Sequence, residues 1–173
     1  MIKGENIYLR AMELSDIDVI YDWENDTDVW HVSNTYMPFS KYFLNEFISK
    51  SNNDLYTDKQ LRLIIVKNID LQRIGTIDLF DFDPMHKRAG LGILIDKNNR
   101  GNNYAKEAIK LAKKYAFEFL NLHQLYCNIE DNDISIKLFC NANFVITGKK
   151  RDWLLINNEW KNVVFLQLIN SSK

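Results

Sequence analysis

The chain has 173 residues, with 22 basic and 23 acidic side chains, 46% hydrophobic residues and two prolines. That length suits one domain with a sheet-based core, and 13% aromatics with so large an apolar fraction exclude wholesale disorder. No run approaches the roughly 18 apolar residues that span a bilayer, and the opening residues lack the apolar core of a secretory signal. Two cysteines, Cys127 and Cys140, are too few for a disulfide framework, so a cytoplasmic, non-membrane protein is expected. The net charge of −1 gives no argument for nucleic acid. It hides an asymmetry, because residues 1–60 hold eleven acids against five bases while the remainder is net basic. Such a division can bring a cationic partner near an anionic one, although a solvated helix surface explains it as well.

Ile7–Met12 alternates as a strand does. Ser15 then reads as an N-cap, followed by a helix reaching about Asn25 with Asp16 and Asp18 in its first turn. Thr27–Phe39 is a loop rich in aromatics (Trp30, His31, Tyr36, Phe39), as suited to lining a pocket as to core packing. Ser40 caps a second helix carrying Phe43, Leu44, Phe47 and Ile48. Strand patterns follow at Leu61–Lys67, Arg73–Phe82 and Ala89–Asp96. A polar segment from Lys97 to Asn103 then opens a long helix from Tyr104 to about Asn121. Its apolar stripe runs from Ala105 to Phe119, with lysines largely opposite. Gln124–Glu130 is a strand, Asn132 caps a short helix, and Phe144–Ile156 and Trp160–Ile169 form a hairpin whose Asn157-Asn158 turn suits positive φ. The expected architecture is α/β (α+β): a mixed, mostly antiparallel sheet of about seven strands with about four helices.

The chemically informative element is the strand, polar loop and helix spanning 91–121. A helix starting directly after a strand presents unpaired N–H groups to phosphate oxygens. Arg100 adds a bidentate donor, and Gly101 lets a ligand approach the backbone. No dinucleotide or P-loop glycine pattern is present.

The stretch from Gly75 through Ile95, followed by Arg100-Gly101-Asn102-Asn103-Tyr104-Ala105, resembles the GNAT superfamily of acetyl-CoA-dependent N-acetyltransferases. Its loop reads Gln/Arg-x-x-Gly-x-Gly/Ala, matched here except at Asn103. Asn132-x-x-Ser135-Ile136-x-Leu138-Phe139-x-x-Ala142-Asn143-Phe144 resembles a later segment of the superfamily, and Leu9–Asp16 its first strand and turn. The resemblance covers nearly the whole chain and is nearest to bacterial spermidine N-acetyltransferases and ribosomal-protein N-terminal acetyltransferases. It implies acetyl-CoA as cosubstrate, with no metal. Ile93, Leu94 and Ile95 would offer backbone to the pantetheine arm, Arg100, Gly101, Asn102, Asn103, Tyr104 and Ala105 would cradle the pyrophosphate, and Asn132 would contact the cofactor. Asn103 stands where Gly is usual, and Asn tolerates a left-handed backbone better than most residues.

Two usual side-chain contributors differ. Gly90 stands where spermidine acetyltransferases often carry Glu, and Phe139 stands at the usual position of the Tyr general acid. Cys140 follows Phe139 and reads as a small buried residue pointing elsewhere. For a base, Asp81 and Asp78 are the candidates. With simple alternation Asp81 and Asp83 share a face and Asp78 lies on the other; His86 and His31 are further relays, and Tyr126 reads as strand packing. The expected function is acetyl transfer to a small-molecule or peptidyl primary amine, with a polyamine such as spermidine favoured by the acidic first helix. The alternatives are a protein N-terminal acceptor and a non-catalytic acetyl-CoA sensor. Trp153, Leu155 and Trp160 offer apolar surface for a homo-oligomer contact, or for core packing.

Overall fold

The computed structural model describes residues 1–30, 37–50 and 54–171. Among them are strands β1 (Ile2–Lys3), β2 (Ile7–Ala11), β3 (Leu61–Lys67), β4 (Arg73–Asp83), β5 (Arg88–Ile95), β6 (Gln124–Glu130), β7 (Val145–Ile156) and β8 (Glu159–Ile169). The α-helices are α1 (Ile17–Glu24), α2 (Lys41–Lys50), α3 (Leu55–Asp58), α4 (Tyr104–Lys114) and α5 (Asp133–Cys140). The strands form one sheet in the order β1-β2-β3-β4-β5-β6-β8-β7, antiparallel throughout except for the parallel pair β5–β6. The expected class holds, with one more strand (the two-residue β1) and one more helix (the single turn α3). No helix among the described residues is long and apolar enough to cross a membrane.

Strand alternation sends successive side chains to opposite faces, and both faces are covered. On one, Ala89, Leu91, Leu125 and Cys127 pack against Ala108, Ile109 and Ala112 of α4 and Phe139 of α5. On the other, Ile64 and Val66 of β3 meet Ile20 of α1 and Leu44 of α2. Each such Ile or Leu, fully buried, contributes roughly 1.5–3 kcal/mol. The helical spacing of α4 is interrupted by a π turn at Tyr115–Phe119. The extra residue rotates the end of the helix, so Phe119, expected on the apolar stripe, is 76% exposed and stacks on Tyr115 instead.

The local signals behave unevenly. Ser40 Oγ accepts from Phe43 N–H, Asn132 Oδ1 accepts from Ser135 N–H, and Asn157 and Asn158 adopt φ of 51° and 62°, all as expected. Ser15 is not a cap. It sits inside a 3₁₀ turn at Leu14–Asp16, and Asp16 reaches back to accept the Glu13 N–H at 2.8 Å. Asp16 is fully buried and also accepts from Arg10 at 2.7 and 2.8 Å and from Arg73 at 3.2 Å, joining β2, β4 and the entry to α1. Arg62 of β3 likewise links Glu24 at the end of α1 to Asp78 of β4.

Burial pushes the Asp16 carboxyl upward, but the hydrogen bonds from Arg10 and Glu13 outweigh it and hold it below the usual carboxylate range. Its stabilising contribution is therefore present above the unfolded-chain value of about 3.9 and is lost as pH falls through the lower folded-state value. Asp16→Asn should cost about 3 kcal/mol in urea unfolding at pH 7. The gap between the two proteins should narrow below about pH 4; a gap of unchanged size at acid pH would contradict the assignment.

Candidate active site

The parallel pair β5–β6 is short. Arg88, Ala89 and Gly90 register with Gln124, Leu125 and Tyr126, and the strands then part. Beyond the fork, Leu91–Ile95 keeps its pairing with β4 on one side. The other edge of β5 opens on a cleft of about 960 Å³ whose far wall includes Cys127–Glu130 of β6. Ile93, Leu94 and Ile95 all line it.

The loop closing the cleft at the end of β5 is held from within. Asp96 accepts from Asn98 N–H and from the side chain of the buried Asn99. Arg100 donates Nε–H to the carbonyl of Ile95 at 3.0 Å, which orients the guanidinium at the cleft. Gly101 has φ 81°, and a Cβ added there would meet nothing within 4 Å, so its surroundings are open. Asn103 adopts the left-handed backbone, φ 63° and ψ 4°, and directly precedes α4. A backbone conformation that glycine adopts most readily is thus taken up by an asparagine, whose side chain makes no capping hydrogen bond. Glu107, in the first turn of α4, accepts from the backbone and side chain of Asn6, tying the helix to the start of β2. Burial alone would raise the Glu107 carboxyl; the Asn6 hydrogen bonds hold it below its ordinary range. Arg100, Gly101, Asn103, Tyr104, Ala105 and Asn132 line the cleft, whereas Asn102 turns its side chain back to the carbonyls of Asn99 and Arg100. The cradle, its basic residues and the open strand edge fit a phosphate-bearing cofactor with an extended arm.

The candidate bases separate. Asp78 is not part of the cleft lining; Arg62 engages it at 2.7 Å, in the network that also holds Glu24. Asp81 does line the cleft. A bulge between Phe80 and Asp83 breaks the alternation, and Asp81 takes φ 49°. It also lines a second cavity of about 620 Å³, together with Asp83, Arg88, Tyr126 and Phe165. Tyr126, expected to serve packing, both packs between Phe80 and Phe165 and donates its hydroxyl to Asp81 at 3.1 Å. Nothing local in the sequence signalled that pairing. His86 lies in the exposed β4–β5 turn, where its N–H meets Asp83, and does not line the cleft. His31 and Tyr36 lie outside the described residues.

Phe139 lines the cleft, buried edge-on against Phe144, and brings no hydroxyl. Cys140, expected to be buried, is exposed at the end of α5. Cys127 is the buried cysteine, and its thiol is pushed up to about 12, first by burial and then by Cys140. It stays protonated at neutral pH and is a poor acyl acceptor. Asp28 and Val29 reach the cleft from the segment after α1. That segment is pinned by Asn25, whose amide donates to the carbonyls of Tyr21 and Phe39 and accepts the Phe39 N–H. Across the cleft, Lys150 lies over the Trp153 ring and donates to Asn128.

Residues 6–145 match the acetyltransferase (GNAT) domain family. The chain is 26% identical to the spermidine N(1)-acetyltransferase of Escherichia coli K12 over 95% of its length and 86% of that protein's. It is 33% identical to an uncharacterized N-acetyltransferase of Bacillus licheniformis, over 86% and 84%. The crystal structure of a Vibrio cholerae spermidine N-acetyltransferase in complex with CoA and spermine superposes with a TM-score of 0.86 at 23% identity, over 97% of this chain and 98% of that one. The chain therefore belongs to the GNAT acetyltransferases, as an acetyl-CoA-dependent N-acetyltransferase.

Proposed function

We propose that the acceptor is a polyamine-type primary amine and that Asp81 is the group that receives its proton. The observation carrying this reading is the division of charge within the cleft. Arg100 and Lys106 come from the loop and first turn of α4 and Lys150 from β7, whereas Asp28, Asp81 and Glu130 enter from three other elements. Phosphates and a polycation are thus served at different parts of one cavity. The spermidine acetyltransferases of Escherichia coli and Vibrio cholerae among the relatives support it.

Acetyl-CoA supplies the activated thioester; Ile93–Ile95, the turn from Arg100 to Ala105, and Asn132 are the residues that would hold it. The rest falls to the chain. An alkylammonium with a pKa near 10.4 must lose a proton before it attacks, which costs about 4–5 kcal/mol at pH 7. Asp81 at the fork attracts the ammonium and takes up that proton, directly or through water. Tyr126 fixes the carboxylate by its hydroxyl, and its phenol is pushed up to about 12, first by burial and then by the Asp81 charge, so it remains a donor across the working range. Phe139 has no proton to give, and departure of the thiolate relies on its own stability. Lys150 at the far wall favours a second reading, a peptidyl amine whose backbone carbonyl or carboxylate it would meet. The exposed Leu155 and Trp160 of the β7–β8 hairpin suit a contact between copies, and a Vibrio cholerae relative is described as dodecameric.

Amine-dependent release of CoA, with product masses, decides between acceptors. Acetylated spermidine should dominate over acetylated N-terminal peptides; the reverse product pattern would transfer the protein to the second reading. Asp81→Asn should lower kcat for the preferred amine by about 10²-fold while leaving acetyl-CoA affinity intact. In spectrophotometric titration, one of the eight tyrosines should ionise near 12 and shift downward in Asp81→Asn. Asn103→Val places a β-branched residue at positive φ and should weaken acetyl-CoA binding about tenfold or more by calorimetry, whereas Asn103→Gly should bind as wild type does.

A further inference from the structure

Phe80 of β4 registers with Gly90 of β5, and Gly90 registers with Tyr126 of β6, so the three share one face of the sheet. A Cβ placed on Gly90 would lie 2.2, 2.4 and 2.7 Å from Cε2, Cζ and Cδ2 of Phe80. One placed on Gly92, the next residue on that face, would lie 3.7 and 3.9 Å from Cε1 and Cδ1. The two edges of one ring therefore cover two successive glycines. The ring covers the bare backbone of β5 at both glycines, and Phe80 is half-buried and lines the cleft. Tyr126 meets it edge-on with centroids 5.9 Å apart, and Phe165 tilts against Tyr126 at 5.6 Å. The carboxylate of Asp81, next in sequence, closes the margin of this aromatic row by accepting the Tyr126 hydroxyl.

We propose that the outward face of Phe80 is the seat of the acceptor's alkylammonium chain, which makes Phe80 a specificity-determining residue. The inference rests on the polyamine reading of the cleft. An aromatic face carries negative charge density and attracts an organic cation, and its breadth suits the methylenes beside that cation. The reacting nitrogen must be neutral when it attacks, so the ring serves the second, non-reacting ammonium. A side chain at position 90 would lift the ring from the strand, and Gly90 is the condition for the platform.

Steady-state kinetics on the full-length protein, with acetyl-CoA saturating, should compare spermidine, putrescine and butylamine as acceptors of wild type and Phe80→Leu. Leucine keeps apolar bulk and loses the π face. KM for the two polyamines should rise roughly three- to thirtyfold, while that of butylamine, which has no second charge, moves by less than about twofold. Calorimetric affinity for acetyl-CoA should not change. Gly90→Ala should lower Tm, and Phe80→Ala/Gly90→Ala should recover it. Equal losses for all three amines, or none, would overturn the seat while leaving polyamine acetylation standing. A wild type that acetylates none of the polyamines removes the underlying reading and the seat with it. Unchanged Tm and KM in Gly90→Ala would also overturn the proposal, since the ring would not then depend on a bare strand.

Discussion

The site depends on the parting of two parallel strands after three registered residues. A continuous pair would satisfy its own hydrogen bonds and leave no room. Once β5 and β6 separate, backbone donors and acceptors on facing edges lose each other as partners, and each such group left buried and unpaired costs about 1–3 kcal/mol. A fold can sustain that only where water or a ligand takes the vacant positions. The fork is thus a standing demand for a polar, extended occupant. The tethers around it hold the gap at its width: Arg100 to Ile95 at the loop, and Glu107 to Asn6 behind the start of α4.

Most features decided within a few residues were legible in the sequence, although not at Ser15, whose neighbour Asp16 makes the local hydrogen bond to Glu13 instead. Ser40 and Asn132 cap their helices because each partner is three residues away. Asn103, Asn157 and Asn158 reach positive φ because the asparagine side chain tolerates it at low cost. Features that depend on contacts between distant residues were not legible. Asp78 looked as available as Asp81 until Arg62, on the neighbouring strand, claimed it. The bulge at Phe80–Asp83 redirects Asp81, and no alternating pattern announces a bulge. Tyr126 and Asp81 lie 45 positions apart and meet only because β4, β5 and β6 are neighbours. The π turn that exposes Phe119 is local, but it is likewise invisible to a count at 3.6 residues per turn.

The acidic surplus of the first third is partly consumed in ion pairs within the chain. Asp16 answers Arg10 and Arg73, Glu24 answers Arg62, and Asp18 answers Lys41. These pairs fasten α1 and its entry to the sheet or to α2, so they hold that layer in place more than they project a field outward. The electrostatic character of the cleft comes from fewer, better-placed groups, with Asp28 and Asp81 brought to it by separate elements.

Asn25 has a consequence of a different kind. Its amide bonds the backbone of Phe39 through both donor and acceptor, as a neighbouring strand would, and so fastens together the two ends of the intervening stretch. The entropic cost of closing that connection is met at its base. Asp28 and Val29, three and four residues past Asn25, reach the cleft wall. A single amide thereby sets where one wall of the cleft stands, and its loss would be felt in the shape of the cavity before it was felt in the sheet.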